Sequence, residues 1–286
     1  MMGHMAARIF GEQHEVFGTI RDDLPTDSAL ARFLPPDRWI RDVEADNLAS
    51  VQRALEEADP DAVLNCIGII KQAPEATDPI VSIENNALFP HRLAELCNTA
   101  DVRMVHLSTD CVFSGDKGMY TESDTPDPLD LYGRSKLLGE TESGEALTLR
   151  TSVVGREIRG HVSLFEWVLG SRGRSVRGFD RAIYSGLTTM ALAATIERVM
   201  VDHPSLTGVW HVASEPITKY ELLCQLDERL GLKLDIERDE SFVCDRSLDG
   251  SAFAAETGIV VPSWDDMLTQ FVGDQSSYSG LEEESS

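Results

Sequence analysis

The chain has 286 residues, enough to bury a large core, and it fits one nucleotide-binding domain with a smaller lobe better than two independent domains. Its formal net charge of −24, from 49 acidic against 25 basic residues, gives a surface that repels nucleic acid. It has no apolar run of about 18 residues and no cationic leader, and its five cysteines show no Cys-x-x-Cys spacing; this argues for a cytoplasmic protein with no membrane partner, disulfide framework or zinc site.

Met1-Met2-Gly3-His4-Met5 reads as the end of the Gly-rich turn that opens a doubly wound α/β fold. Gly3 takes the place of the last glycine, and the strand that should precede the turn is missing. Apolar spacing from Met5 predicts the first helix, and residues 15–21 predict the second strand. Arg21 ends that strand where an acid would mark NAD; an arginine suits a 2′-phosphate, which favours NADP(H), with NAD(H) as the alternative. Asp46 or Asn47 caps a helix running to Ala58. Residues 62–68 then form a buried parallel strand, with Asn65 near its end and Gly68 where the backbone can approach a ligand.

A helix over residues 80–97 carries Asn85-Asn86 inside its apolar pattern, and a buried amide there needs a partner. Residues 103–107 form the next strand and deliver Ser108, Thr109 and Asp110 at its carboxyl end, where open α/β sheets place ligands. The acidic loop 111–128 is expected to arch over a substrate. In Tyr132-Gly133-Arg134-Ser135-Lys136, a tyrosine and a lysine four residues apart share one helix face, so an ammonium can favour an ionised phenol. Moving a phenol from about 10 to about 7 takes about 4 kcal/mol, more than one exposed lysine supplies, so burial, a bound nicotinamide or nearby hydroxyls must contribute.

Strand-like residues 147–155 bring Thr151 and Ser152 to the same end of the sheet. Beyond Gly155 the elements shorten, which divides the chain into a nucleotide-binding domain (1–155), a substrate lobe (156–272) and a Ser/Glu/Gly-rich tail (273–286) expected to be disordered. Residues 172–181 hold four arginines in ten positions; Arg174 and Arg177 are candidates for holding a diphosphate. Residues 185–188 read as a return loop, 209–212 as a late strand and 245–249 as a structural segment. The seven histidines lack metal-ligand spacing, so no metal is expected.

The segment LSTDCVFSGDKGMYTESDTPDPLDLYGRSKLLGE, from Leu107 to Glu140, resembles the extended short-chain dehydrogenase/reductases, most closely the dTDP-4-dehydrorhamnose reductase group. The resemblance runs from about Gly3 to about Trp264, loosely beyond residue 190. It implies a Rossmann-type sheet with a smaller C-terminal α/β lobe. Thr109 matches the hydroxyl member of the family's triad, Tyr132 the general acid, and Lys136 the residue that bonds the nicotinamide ribose. Asn65 and Gly68 match the cofactor cleft, Thr151 and Ser152 the segment beside the nicotinamide, and Asn86 an asparagine that supports the site. A hydroxyl and a tyrosine converging on one carbonyl oxygen would stabilise the alkoxide that forms when a hydride arrives.

The implied function is NADPH-dependent reduction of a nucleotide-linked 4-keto-6-deoxy sugar at C4. Alternatives are a nucleotide-sugar 4-epimerase, which uses the same triad, and a non-catalytic module such as the regulatory subunit of methionine adenosyltransferase. Dehydratases carry acidic residues just after the hydroxyl, and here Asp110 is followed by Cys111, which disfavours that chemistry. The oligomeric state stays open, a homodimer being one option. The missing first strand suggests that Met1 is an internal methionine of a longer protein, or else that dinucleotide binding has given way to partner binding. The acid surplus, with only five lysines to 20 arginines, fits either life in concentrated salt or an acidic tail with arginine-rich codon usage.

Overall fold

A computed structural model describes residues 1–21, 29–158 and 162–278. Helix α1 (Met2–Phe10) leads to strand β1 (Gly18–Thr19), which pairs in parallel with β2 (Trp39–Ile40). Helix α2 (Leu48–Ala58) follows, and the Asn47 side-chain oxygen accepts the Ser50 N–H to cap it. Then come β3 (Ala62–Asn65), α3 (Pro79–Ser82), a π-helical turn over Ile83–Leu88, α4 (Phe89–Ala100), β4 (Arg103–Thr109), α5 (Leu131–Leu138), β5 (Leu147–Thr151) and β6 (Val153–Val154). The C-terminal half holds α6 (Leu164–Gly170), β7 (Ser175–Phe179), β8 (Ala182–Tyr184), β9 (Leu187–Thr188), α7 (Thr189–Asp202), β10 (Gly208–His211) and β11 (Ile217–Thr218). It closes with α8 (Lys219–Leu230), β12 (Asp235–Asp239), β13 (Cys244–Asp245), α9 (Ser251–Thr257) and α10 (Trp264–Gly273).

The central sheet has the order β10-β5-β4-β3, with every neighbouring pair parallel. Side chains alternate along β4, so Val105 enters one core and Met104 the other. The larger core joins Leu147 and Leu149 to Leu192 and Ile196 of α7, Leu222 of α8, Met267 of α10 and Met5 of α1. The second packs Val51 and Ala54 of α2 against Phe89, Leu93 and Cys97 of α4. Helices on both faces of a parallel sheet make the Rossmann-like α/β sandwich expected from the sequence.

Several boundaries differ from expectation. Within 15–21 the strand itself is Gly18–Thr19, and β1–β2 form their own ribbon rather than joining the four-stranded sheet among the described residues. The helix over 80–97 is broken by the π-helical turn, whose extra residue turns the Asn86 side chain inward, to 1% exposure. The return loop is itself a short strand, β9, parallel to β6. Residues 273–278 are ordered, against the expected disordered tail. Asp274 pairs with Arg8 at 2.7 Å, and Tyr278 is buried with its hydroxyl 2.9 Å from His4 Nε2. Residues 279–286 lie outside the described residues. Among the described residues no helix is long and apolar enough to cross a membrane.

Candidate active site

Helix α5 carries the Tyr-Lys pair, and its position is set by two glycines. A Cβ on Gly133 would run into the Cys111 carbonyl oxygen, and one on Gly139 into the Asn86 carbonyl oxygen. Without side chains there, the helix presses onto the backbone at both ends. Asp130 caps it, its Oδ1 accepting the Gly133 N–H at 2.8 Å.

Two contacts fasten α5 and the residues just past it to β4. His106 and Ser108, two residues apart on the strand, face Lys136 in the last turn of the helix and Glu140 just beyond its C-cap Gly139. Lys136 Nζ donates to Leu107 O at 2.6 Å and lies 3.5 Å from His106 Nε2; the Ser108 hydroxyl donates to Glu140 Oε1 at 2.6 Å. Glu140 is held in turn by Arg150, at 2.8 and 2.7 Å, and Arg150 Nη1 reaches His211 Nε2 at 3.3 Å.

At the end of β4, Thr109 is buried; its hydroxyl donates to Asp110 Oδ1 at 3.1 Å and accepts the Cys111 N–H at 3.1 Å. Tyr132 is half-buried beside it. Burial, with Cys111, Asp110 and Asp130 close by, pushes its phenol above the ordinary range, and the Thr109 hydroxyl acts the other way. Lys136 is buried, and burial pulls its ammonium down to about 8, against the opposing pull of Glu140 and Cys66. In this geometry the bonds of Lys136 go to β4, with Nζ donating to Leu107 O. Burial also raises the Asp110 carboxyl, countered by Arg246 and by the Thr109 and Ser152 hydroxyls.

The strand-end residues gather around this point. Gly68 lies close enough that a Cβ on it would be 3.1 Å from Asn86 Oδ1 and 3.9 Å from Lys136 Nζ. Gly3, in the first turn of α1, faces Cys66 just past β3, its own Cβ position 3.8 Å from that of Cys66. Thr151 sits opposite Thr109 in the β4–β5 register. Backbone without side chains beside a lysine, at the carboxyl ends of parallel strands, fits a dinucleotide: Gly3, Gly68 and Lys136 are the residues that would hold it.

Four residues expected to contact substrate have protein surroundings of their own. Ser108 points to the α5 side of β4, one residue out of phase with Thr109, and its hydroxyl is spent on Glu140. The Asn86 carboxamide is also spent, accepting the Ile69 N–H at 2.8 Å and donating to Ile69 O at 3.0 Å and Ser135 Oγ at 3.2 Å. It braces the site from behind. Arg174 and Arg177 are exposed beside and on β7, where Arg177 pairs with Asp239 of β12 at 3.3 Å. Among the described residues no hydrogen bond or ion pair ties either arginine to Thr109, Tyr132 or Lys136. Arg21 lies just past β1, exposed.

Sequence reasoning passed over Arg246, placed in a structural segment. Its Nε donates to Phe113 O at 2.9 Å and its Nη1 to Cys111 Sγ at 3.7 Å, which sets a guanidinium beside Asp110. Loop 111–128 docks on this C-terminal segment: Tyr120 stacks on Phe113, with ring centroids 4.2 Å apart, and bridges to Leu248. Among the described residues no group of His, Cys, Asp and Glu side chains is placed to hold a metal ion.

Residues 9–276 match the family described as the RmlD substrate binding domain. The chain is 30% identical to the probable low-salt glycan biosynthesis reductase Agl14 of Haloferax volcanii, over 98% of this chain and 96% of that protein. It is 28% identical to methionine adenosyltransferase 2 subunit beta of Danio rerio, over 64% of this chain and 60% of that protein. In fold it resembles the dTDP-4-dehydrorhamnose reductase of Bacillus anthracis in complex with NADP, at TM-score 0.72 and 20% identity, covering 84% and 92% of the two chains. It also resembles the enzyme WbmG of Bordetella bronchiseptica in complex with NAD and UDP, at TM-score 0.78 and 19% identity, covering 97% and 92%. The chain belongs to the RmlD-like, dTDP-4-dehydrorhamnose reductase family of extended short-chain dehydrogenase/reductases.

Proposed function

We propose that the protein is an NADPH-dependent reductase of a nucleotide-linked 4-keto-6-deoxy sugar. The observation that carries this reading is the docking of α5, which brings Tyr132 beside Thr109 and Lys136 beside Gly68 at one end of the sheet. The bound cofactor supplies a hydride to C4. Tyr132 donates its proton to the carbonyl oxygen as negative charge builds there, and Thr109 donates a hydrogen bond to the same oxygen. Burial suits Tyr132 to this direction, because a phenol held above its ordinary range stays protonated until the alkoxide forms. Lys136 is oriented by Leu107 O to reach the cofactor ribose. The reductase and NADP named for relatives support this reading, as does the position of Arg21 for a 2′-phosphate.

The test is the loss of NADPH absorbance on adding a dTDP-linked 4-keto-6-deoxy sugar, with NADH and an Arg21→Ala variant in parallel. Turnover with NADPH that weakens in the variant by about 1.5 to 3 kcal/mol supports both the activity and the cofactor assignment. Equal affinity for NADH and NADPH removes the role of Arg21. Tight dinucleotide binding without turnover on any 4-keto sugar moves the reading to a regulatory module, the function named for the Danio rerio relative being that of a subunit.

A further inference from the structure

His106 is fully buried under α5, and the proposed reaction assigns it no part. The bonds around it fix where its proton sits. Asn65 Oδ1 accepts the Ile67 N–H at 3.0 Å, and because a main-chain N–H only donates, this identifies the oxygen end of the carboxamide. The nitrogen end therefore faces His106 Nδ1, at 3.1 Å. A carboxamide nitrogen also only donates, so Nδ1 accepts and the neutral ring carries its hydrogen on Nε2. That nitrogen lies 3.5 Å from Lys136 Nζ, which already donates to Leu107 O at 2.6 Å. An ammonium there meets a second donor head-on; an amine accepts the Nε2–H and keeps its bond to Leu107 O.

We propose that Asn65 and His106 form a positioning pair for Lys136: Asn65 locks the imidazole with Nε2–H toward Nζ, and the ring thereby loosens the hold of the lysine on its proton. The other charged or titratable groups around this point act in known directions. Glu140 just past α5 and Cys66 beyond β3 favour the ammonium, while burial disfavours it; His91 on α4 and Lys136 itself disfavour a charged His106, which burial keeps neutral. The consequence for catalysis rests on the reductase reading: the ring and Leu107 O together hold Nζ in the direction from which it would reach the cofactor ribose. The tautomer and the lysine titration do not rest on it.

Both can be read in the protein without cofactor or substrate. With only five lysines in the chain, selectively labelled side-chain signals are few, and a Lys136→Met variant assigns the one of interest. Nitrogen-15 NMR of the histidine rings should show His106 as the Nε2–H form, and Lys136 should titrate below the other lysines. In Asn65→Leu the ring is free to turn an acceptor toward Nζ, and in His106→Gln a carbonyl oxygen can do so. Both variants should move the Lys136 titration up by about one pH unit. An Nδ1–H ring in the wild type overturns the proposal even if neither variant folds. A Lys136 titration unchanged in both folded variants overturns it as well, and leaves the reductase assignment standing.

Discussion

Gly133 lies against the Cys111 carbonyl oxygen so closely that any side chain would overlap it. Alanine is the better helix former by about 1 kcal/mol, so propensity alone says that Gly133→Ala stabilises α5. The clash is with backbone at the end of the catalytic strand and cannot be relieved by a rotamer. Overpacking of this kind costs about 1 to 3 kcal/mol, and a shift of Tyr132 by about 1 Å costs roughly 10² in rate. The expected result is a lower Tm together with a loss of kcat. A variant as stable and as active as the wild type would show that α5 is not held at this point.

Tyr132→Phe removes the proposed proton donor and leaves the packing of the ring. The expected loss in kcat is about 10² to 10⁴, with cofactor affinity nearly unchanged, as for an interaction made only in the transition state. Dinucleotide titration and steady-state rates on the same preparation separate the two. Unchanged turnover would remove Tyr132 from the mechanism.

The Arg150–Glu140 pair is 7% exposed on each side and also holds Ser108 and His211. Arg150→Met strands the Glu140 carboxylate in the interior, and breaking such a pair costs about 3 to 5 kcal/mol. Replacing both, as in Glu140→Leu with Arg150→Met, should recover a large part of that loss. Urea midpoints for the two single variants and the double variant test this; a double variant that loses the sum of the single effects would contradict it.

His4 is buried, bonded to the Tyr278 hydroxyl, and burial takes its pKa from 6.5 to about 3. The folded ring stays neutral between those values while the unfolded chain takes up a proton. Stability is therefore lost as pH falls through that window, by about 1.4 kcal/mol per pH unit for this one group. His106, also held well below its ordinary value, adds in the same direction. His4→Gln keeps a partner for Tyr278 and removes the titration, so its loss of stability between about pH 6 and about pH 5 should be smaller. Identical losses in wild type and variant would show that His4 does not titrate with unfolding.

Much of this was legible in the sequence. Apolar runs and helical patterns found the parallel strands, and of the two cap candidates Asp46 and Asn47 the structure uses Asn47, a local feature because a cap acts on its own neighbourhood. Thr109, Tyr132 and Lys136 were found together because their spacing and sequence context are local. What stayed hidden depends on distant chain or on phase. Nothing in 80–97 marks the π-helical turn, since an Asn-Asn pair is equally compatible with a surface. Nothing local tells that the Ser108 hydroxyl would donate to Glu140, 32 residues on. Arg246 was overlooked because the carbonyl it binds, Phe113 O, is 133 residues away.

The bridge between Tyr120 and Leu248 also bears on the order in which the chain emerges from the ribosome. The loop that closes over the end of β4 is held by a segment made more than a hundred residues later, and the Arg246 beside Asp110 comes from that same late stretch. The four-stranded sheet is complete in sequence at His211, so a nascent chain can assemble its scaffold while the mouth of the site is still open. Closure of the loop then waits for residues 245–249, and a chain interrupted near residue 240 would carry Thr109, Tyr132 and Lys136 without the segment that holds the loop.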